Sequence, residues 1–66
     1  MKYVLTILGG RYYLQSYKME GNDVKTKFTT KKSKKLLNFE TETDADIFIN
    51  MHGLEGFEID EVILNE

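Results

Sequence analysis

Two carboxylates two residues apart, Glu58 and Asp60, are the nearest approach in this sequence to a catalytic pair. Acid–base cleavage of a glycosidic bond uses two such groups, one protonated and one ionised, facing each other across a cleft. On one strand they would instead point the same way, about 6.6 Å apart, with no cleft between them. His52 is the single imidazole, Cys is absent, and neither Ser16 nor Ser33 has a base close by in sequence. Nucleophilic and general-base mechanisms need that partner within hydrogen-bond reach. Glu42, Asp44 and Asp46 match the spacing of a calcium loop but lack its turn-forming glycine. Gly9-Gly10 lacks the further glycines and the following helix of a phosphate-binding turn. The expectation is a protein without catalytic residues, metal or cofactor.

Charge carries the stronger signal. All nine cations lie between Lys2 and Lys35, opposed there by Glu20 and Asp23 alone, a balance of +7. From Leu36 onward there is no Lys or Arg, and Glu40, Glu42, Asp44, Asp46, Glu55, Glu58, Asp60, Glu61 and Glu66 give −9. The formal net charge of −2 conceals these two blocks. Asymmetry of this kind points to a charged partner; its bland explanation is that the halves fold together and neutralise each other.

Each block suggests a partner. Lys31-Lys32-Ser33-Lys34-Lys35, with Lys25 and Lys27 on the preceding strand, could neutralise phosphates while Tyr13, Tyr17 and Phe28 stack on bases. Only Arg11 among the cations is an arginine, the side chain suited to bidentate phosphate contacts. The acidic block offers the opposite: rows of carboxylates that stand in for phosphates before a basic, nucleic-acid-binding groove. Helix N-termini attract acids in any protein, but that covers only Glu42, Asp44 and Asp46. The favoured expectation is therefore a binding protein whose partner surface comprises Glu40, Glu42, Asp44, Asp46, Glu55, Glu58, Asp60 and Glu61. The partner would be a basic host protein such as a histone-like nucleoid protein, a polymerase or a defence nuclease. The alternatives are a nucleic-acid binder acting through Lys25–Lys35, and a structural accessory protein.

The elements that must position these groups follow from periodicity. Residues 2–8 and 11–18 are rich in β-branched and aromatic types, and Gly9-Gly10 supplies the positive φ of a hairpin turn. Closing it there pairs Thr6 with Tyr13 and sets Tyr3, Leu5, Ile7, Tyr12 and Leu14 on one face. Val4, Thr6, Tyr13, Gln15 and Tyr17 fall on the other, which is apolar enough to be partly covered or to serve as a contact surface. Gly21-Asn22-Asp23 is a turn, and Val24, Thr26 and Phe28 then alternate with Lys25 and Lys27. A polar loop leads to a short strand at 36–40 with Leu37 and Phe39 inward, so four strands in succession predict an antiparallel meander.

A helix is predicted over 43–52, with Thr41 or Thr43 as N-cap and Gly53 as its stop. Its apolar residues, Ala45, Ile47, Phe48, Ile49, Met51 and His52, cover about 200° of arc, wider than a single sheet-facing stripe. Either it is wedged deeply or its flank meets a second copy, a homodimer through 43–52. A last strand follows, with a β-bulge at Asp60-Glu61 where the period of two breaks. The order β-β-β-β-α-β predicts an α+β domain, an antiparallel sheet with one helix on one face.

With 66 residues there is room for one domain and one modest core. The absence of Cys fits a reducing cytoplasm. Met1-Lys2 leads into only six residues before Gly9-Gly10, too few for a signal peptide, and no apolar run nears 18 residues. The Lys/Asn/Ile/Glu-rich style and the run Lys34-Lys35, Phe39, Ala45, Phe48-Ile49, His52-Gly53-Leu54, Phe57-Glu58-Ile59, Glu61-Val62 resemble the small early or accessory proteins of bacteriophages of low-GC Gram-positive bacteria. That resemblance implies a host-takeover role: binding a host protein and blocking it, in some members by mimicking DNA.

Overall fold

The computed structural model describes residues 1–63; Leu64 and Glu66 of the expected last strand and acidic block lie outside them. Strands β1 (Lys2–Ile7), β2 (Tyr12–Glu20), β3 (Asp23–Thr29) and β4 (Asn38–Phe39) precede helix α1 (Glu42–His52) and strand β5 (Glu58–Val62). All strand pairings are antiparallel. This is the α+β architecture expected, a five-stranded sheet with the helix over one face.

The meander stops at β3. β4 returns to β1, pairing Tyr3 with Phe39 and Val4 with Asn38. It shares that edge of β1 with β2, which pairs only at Thr6–Tyr13 and Ile7–Tyr12. The other edge of β1 is taken along its length by β5, from Lys2–Val62 to Thr6–Glu58. What makes room for β4 is a bulge in β2. The β2–β3 register shifts between Leu14 and Ser16, and the freed Gln15 carbonyl accepts a hydrogen bond from the Leu37 N–H at 3.1 Å. The bulge predicted at Asp60-Glu61 is absent, since β5 runs in unbroken register with β1.

An extra residue in β2 reverses the facing of every residue after it. Tyr17 therefore lies on the helix face, opposite Thr26, and not beside Tyr13 as strict alternation requires. There its ring meets Phe48 edge-on at 5.4 Å and His52 at 4.7 Å. The helix-face core is Leu5, Leu14 and Ala45, walled by Tyr3, Leu37, Phe39, Phe48, Ile49, Leu54, Phe57 and Ile59. A second, smaller cluster lies on the opposite face: Val4, Tyr13 and Val62, closed by Leu36 from the lysine-rich loop. Of the two roles open to this face, partial cover or contact surface, the loop supplies the cover.

α1 begins one residue earlier than predicted. Thr41, in extended conformation, is the N-cap, its hydroxyl accepting from the Asp44 N–H at 3.1 Å. Gly53, at φ 60°, ends the helix as expected and returns its N–H to the Ile49 carbonyl. The helix is not wedged deeply: Ile47 and Met51 remain 49% and 74% exposed, a bare apolar stripe one turn long.

Candidate interaction surface

Hairpin register and strand order place the two charge blocks. β3, carrying Lys25 and Lys27, is one outer strand of the sheet, and β5, carrying Glu58, Asp60 and Glu61, is another. β2 and β1 stand between them, so the two strands are about 14 Å apart at the usual spacing. That exceeds the Debye length of about 8 Å at physiological salt, so the strand lysines barely screen the carboxylates of β5. On β3 the neutralisation is local: Glu20 bridges Lys18 at 3.4 Å and Lys25 at 3.2 Å, two lysines that face each other across the ribbon.

The predicted carboxylates divide into groups. Glu40, Glu42 and Glu61 gather around the start of β1. The Tyr3 hydroxyl donates to Glu61 at 2.9 Å, and Lys2 clasps Glu40. The hydrogen bond to Glu61, its charge and the charge of Glu42 together push the Tyr3 hydroxyl above its ordinary value. The Lys2 ammonium holds Glu40 below the usual carboxylate value. Asp44 continues this group into the first turn of α1, where the helix dipole favours anions. Asp46 follows, accepting from Asn50 at 3.4 Å.

Glu58 and Asp60 form a second group. Their partners Thr6 and Val4 place them on the face that carries the lysine-rich loop, while Glu61, opposite Tyr3, lies on the helix face. Glu58 is exposed and Asp60 half-buried against the Gly9-Gly10 turn. Glu55 stands alone and exposed in the α1–β5 connection. The strand trio Glu58, Asp60 and Glu61 is thus split between two faces. Tyr3 and Lys2, which organise the first group, were not legible as site residues because their roles depend on where β4 and β5 dock against β1.

The aromatic residues read as stacking platforms are engaged elsewhere. Tyr13 is buried in the loop-face cluster and Tyr17 is packed on α1. Phe28 stacks on Phe57 at 6.1 Å, on the opposite face from Lys25 and Lys27. His52 is held between Tyr17 and Phe48. Among the described residues there is no cavity, no group of three or more potential metal ligands, and no helix long and apolar enough to cross a membrane.

No protein-family model, curated protein or solved structure matches the chain.

Proposed function

We propose that this chain is a non-catalytic binding protein whose acidic end occupies a basic, nucleic-acid-binding surface on a host protein, in the manner of a DNA mimic. The observation that carries the reading is the gathering of Glu40, Glu42, Asp44 and Glu61 at the start of β1 and the entrance of α1, remote along the sheet from the lysines of β3. Glu58 and Asp60 extend it round the sheet edge. The described residues form no cavity, which suits contact with a broad partner better than capture of a small molecule. Burial of Tyr13 beneath the lysine-rich loop, and the placement of Tyr17 and Phe28 on the opposite face from Lys25 and Lys27, weigh against the base-stacking half of the nucleic-acid alternative.

The test is competition for an immobilised histone-like nucleoid protein loaded with labelled duplex DNA. The chain is expected to displace the DNA at low salt and to lose potency as salt rises. The double substitution Glu42→Gln with Asp44→Asn, outside the packed core, should weaken displacement, and Glu58→Lys with Asp60→Lys should weaken it further. Equal potency of all three forms would refute the assignment. A mobility shift of naked DNA by the chain would favour the lysine-based alternative instead.

A further inference from the structure

Among the described residues β3 and β5 each have a pairing partner on one side only: β3 on β2, β5 on β1. On the loop face of the sheet β3 presents Lys25 and Lys27, and β5 presents Glu58 and Asp60. Both pairs have the two-residue spacing of a strand, so both repeat at about 6.6 Å. We propose that copies of this chain associate edge to edge, β3 of one copy pairing with β5 of the next to continue the sheet.

Topology supplies the direction. β1 and β3 run one way, β2 and β5 the other. A second copy displaced sideways by one sheet width therefore presents its β5 antiparallel to β3, with the two loop faces level. In the register that sets Lys25 opposite Asp60, Lys27 falls opposite Glu58. On the helix face Thr26 then meets Ile59. The two charged contacts are favourable cross-strand pairs, and the unpaired backbone groups of both edges are satisfied at once. Charged edge residues ordinarily guard a sheet against pairing, because like meets like. Here the two edges carry opposite signs, so the guard works against β3–β3 and β5–β5 contacts and favours β3–β5. Such a contact is head-to-tail and leaves a free edge at each end, so assemblies grow with concentration and do not stop at two.

Sedimentation of the full chain over rising concentration tests this. At low salt the mean mass should climb continuously. At about 1 M salt, where the Debye length is about 3 Å, it should fall back toward monomer. Lys25→Glu with Lys27→Glu, and separately Glu58→Lys with Asp60→Lys, should each abolish growth. Mixing the two variants should restore it, because each then offers the edge the other lacks. The single swaps Lys27→Glu and Glu58→Lys provide the same complementation should a double variant fail to fold. A wild-type monomer at high micromolar concentration, a mass that stops at dimer (the outcome expected of the Ile47–Met51 flank), or no recovery on mixing would each overturn the proposal. None of these readouts involves a basic partner, so this test and the DNA-displacement test fail independently.

Discussion

The two faces of this sheet are closed by different means. On the helix face an eleven-residue helix lays Ala45, Phe48 and Ile49 over Leu5 and Leu14, with aromatic rings filling the margins. On the loop face a single leucine, Leu36, descends from a polar, lysine-rich loop onto Val4, Tyr13 and Val62. The first closure is cooperative, since the helix joins residues from β1, β4 and β5. The second depends on one side chain and a short turn in which the Leu36 N–H returns to the Ser33 carbonyl at 3.1 Å. The loop that carries four lysines in a row of five is thus pinned beneath by an apolar anchor.

Leu14→Ala, in the helix-face core, should have the largest effect. Removing a fully buried leucine costs about 2–5 kcal/mol, and a domain of this size has only about 3–10 kcal/mol in total. Denaturant titration should show most of the stability lost. Leu36→Ala should cost about 2 kcal/mol, the low end of that range, because the loop can settle over the gap. Hydrogen exchange should then speed up across 30–37 while the α1 amides stay protected. Equal, global loss in the two variants would show that the faces are one cooperative unit.

Thr41→Ala removes the N-cap and should cost about 1 kcal/mol, read as a lower melting midpoint with fraying of the first turn of α1. Thr6→Val acts in the other direction. The Thr6 hydroxyl is buried on the loop face without a hydrogen-bond partner among the described residues. Replacing it with a methyl should stabilise the chain by about 1 kcal/mol; a loss would mean that the hydroxyl is satisfied in solution.

The smallest effects distinguish the faces by pH. Tyr3–Glu61 lies on the helix face and Lys2–Glu40 starts from a residue of the loop face. The Tyr3 value is raised on folding, so its contribution is complete below the ordinary 10.0 and is lost as pH rises through the folded value. The Glu40 value is lowered, so its contribution is complete above the ordinary 4.5 and is lost as pH falls through the folded value. Comparing melting midpoints, Tyr3→Phe should converge with the wild type at alkaline pH and Glu40→Gln at acid pH.

The local features of this fold were legible in the sequence. Gly9-Gly10 gives the hairpin and its Thr6–Tyr13 register, Gly21-Asn22 the next turn, and Gly53 the end of the helix, while its start was narrowed only to Thr41 or Thr43. The turn asks more of the chain than its glycines: Leu8 also takes a positive φ, 54°, which no side-chain pattern announces. The bulge at Gln15 was missed because an extra residue leaves no mark when both neighbours on either side are apolar or neutral. Its consequences were missed with it: Tyr17 on the helix face, and room for β4. Leu36 and Leu37 were read as one strand, although adjacent residues of an extended chain serve opposite faces. The acidic residues were legible as a block but not as two groups, because their division depends on which partner each β5 residue takes on β1.

The pairing of Lys2 with Val62 also has a bearing on how the chain is made. β1 through β3 form a contiguous unit that can zip up early during synthesis, since each contact closes a short loop. The remaining edge of β1 has no partner until Glu58–Val62 has left the ribosome. Until then that edge of β1 is unpaired at Val4 and Leu5, and a nascent chain displays an unsatisfied strand to whatever is nearby. Acquisition of the native state is thereby tied to the emergence of β5. Folding should be slower than for a helical bundle of equal length, as expected when decisive contacts join residues as far apart as Lys2 and Val62.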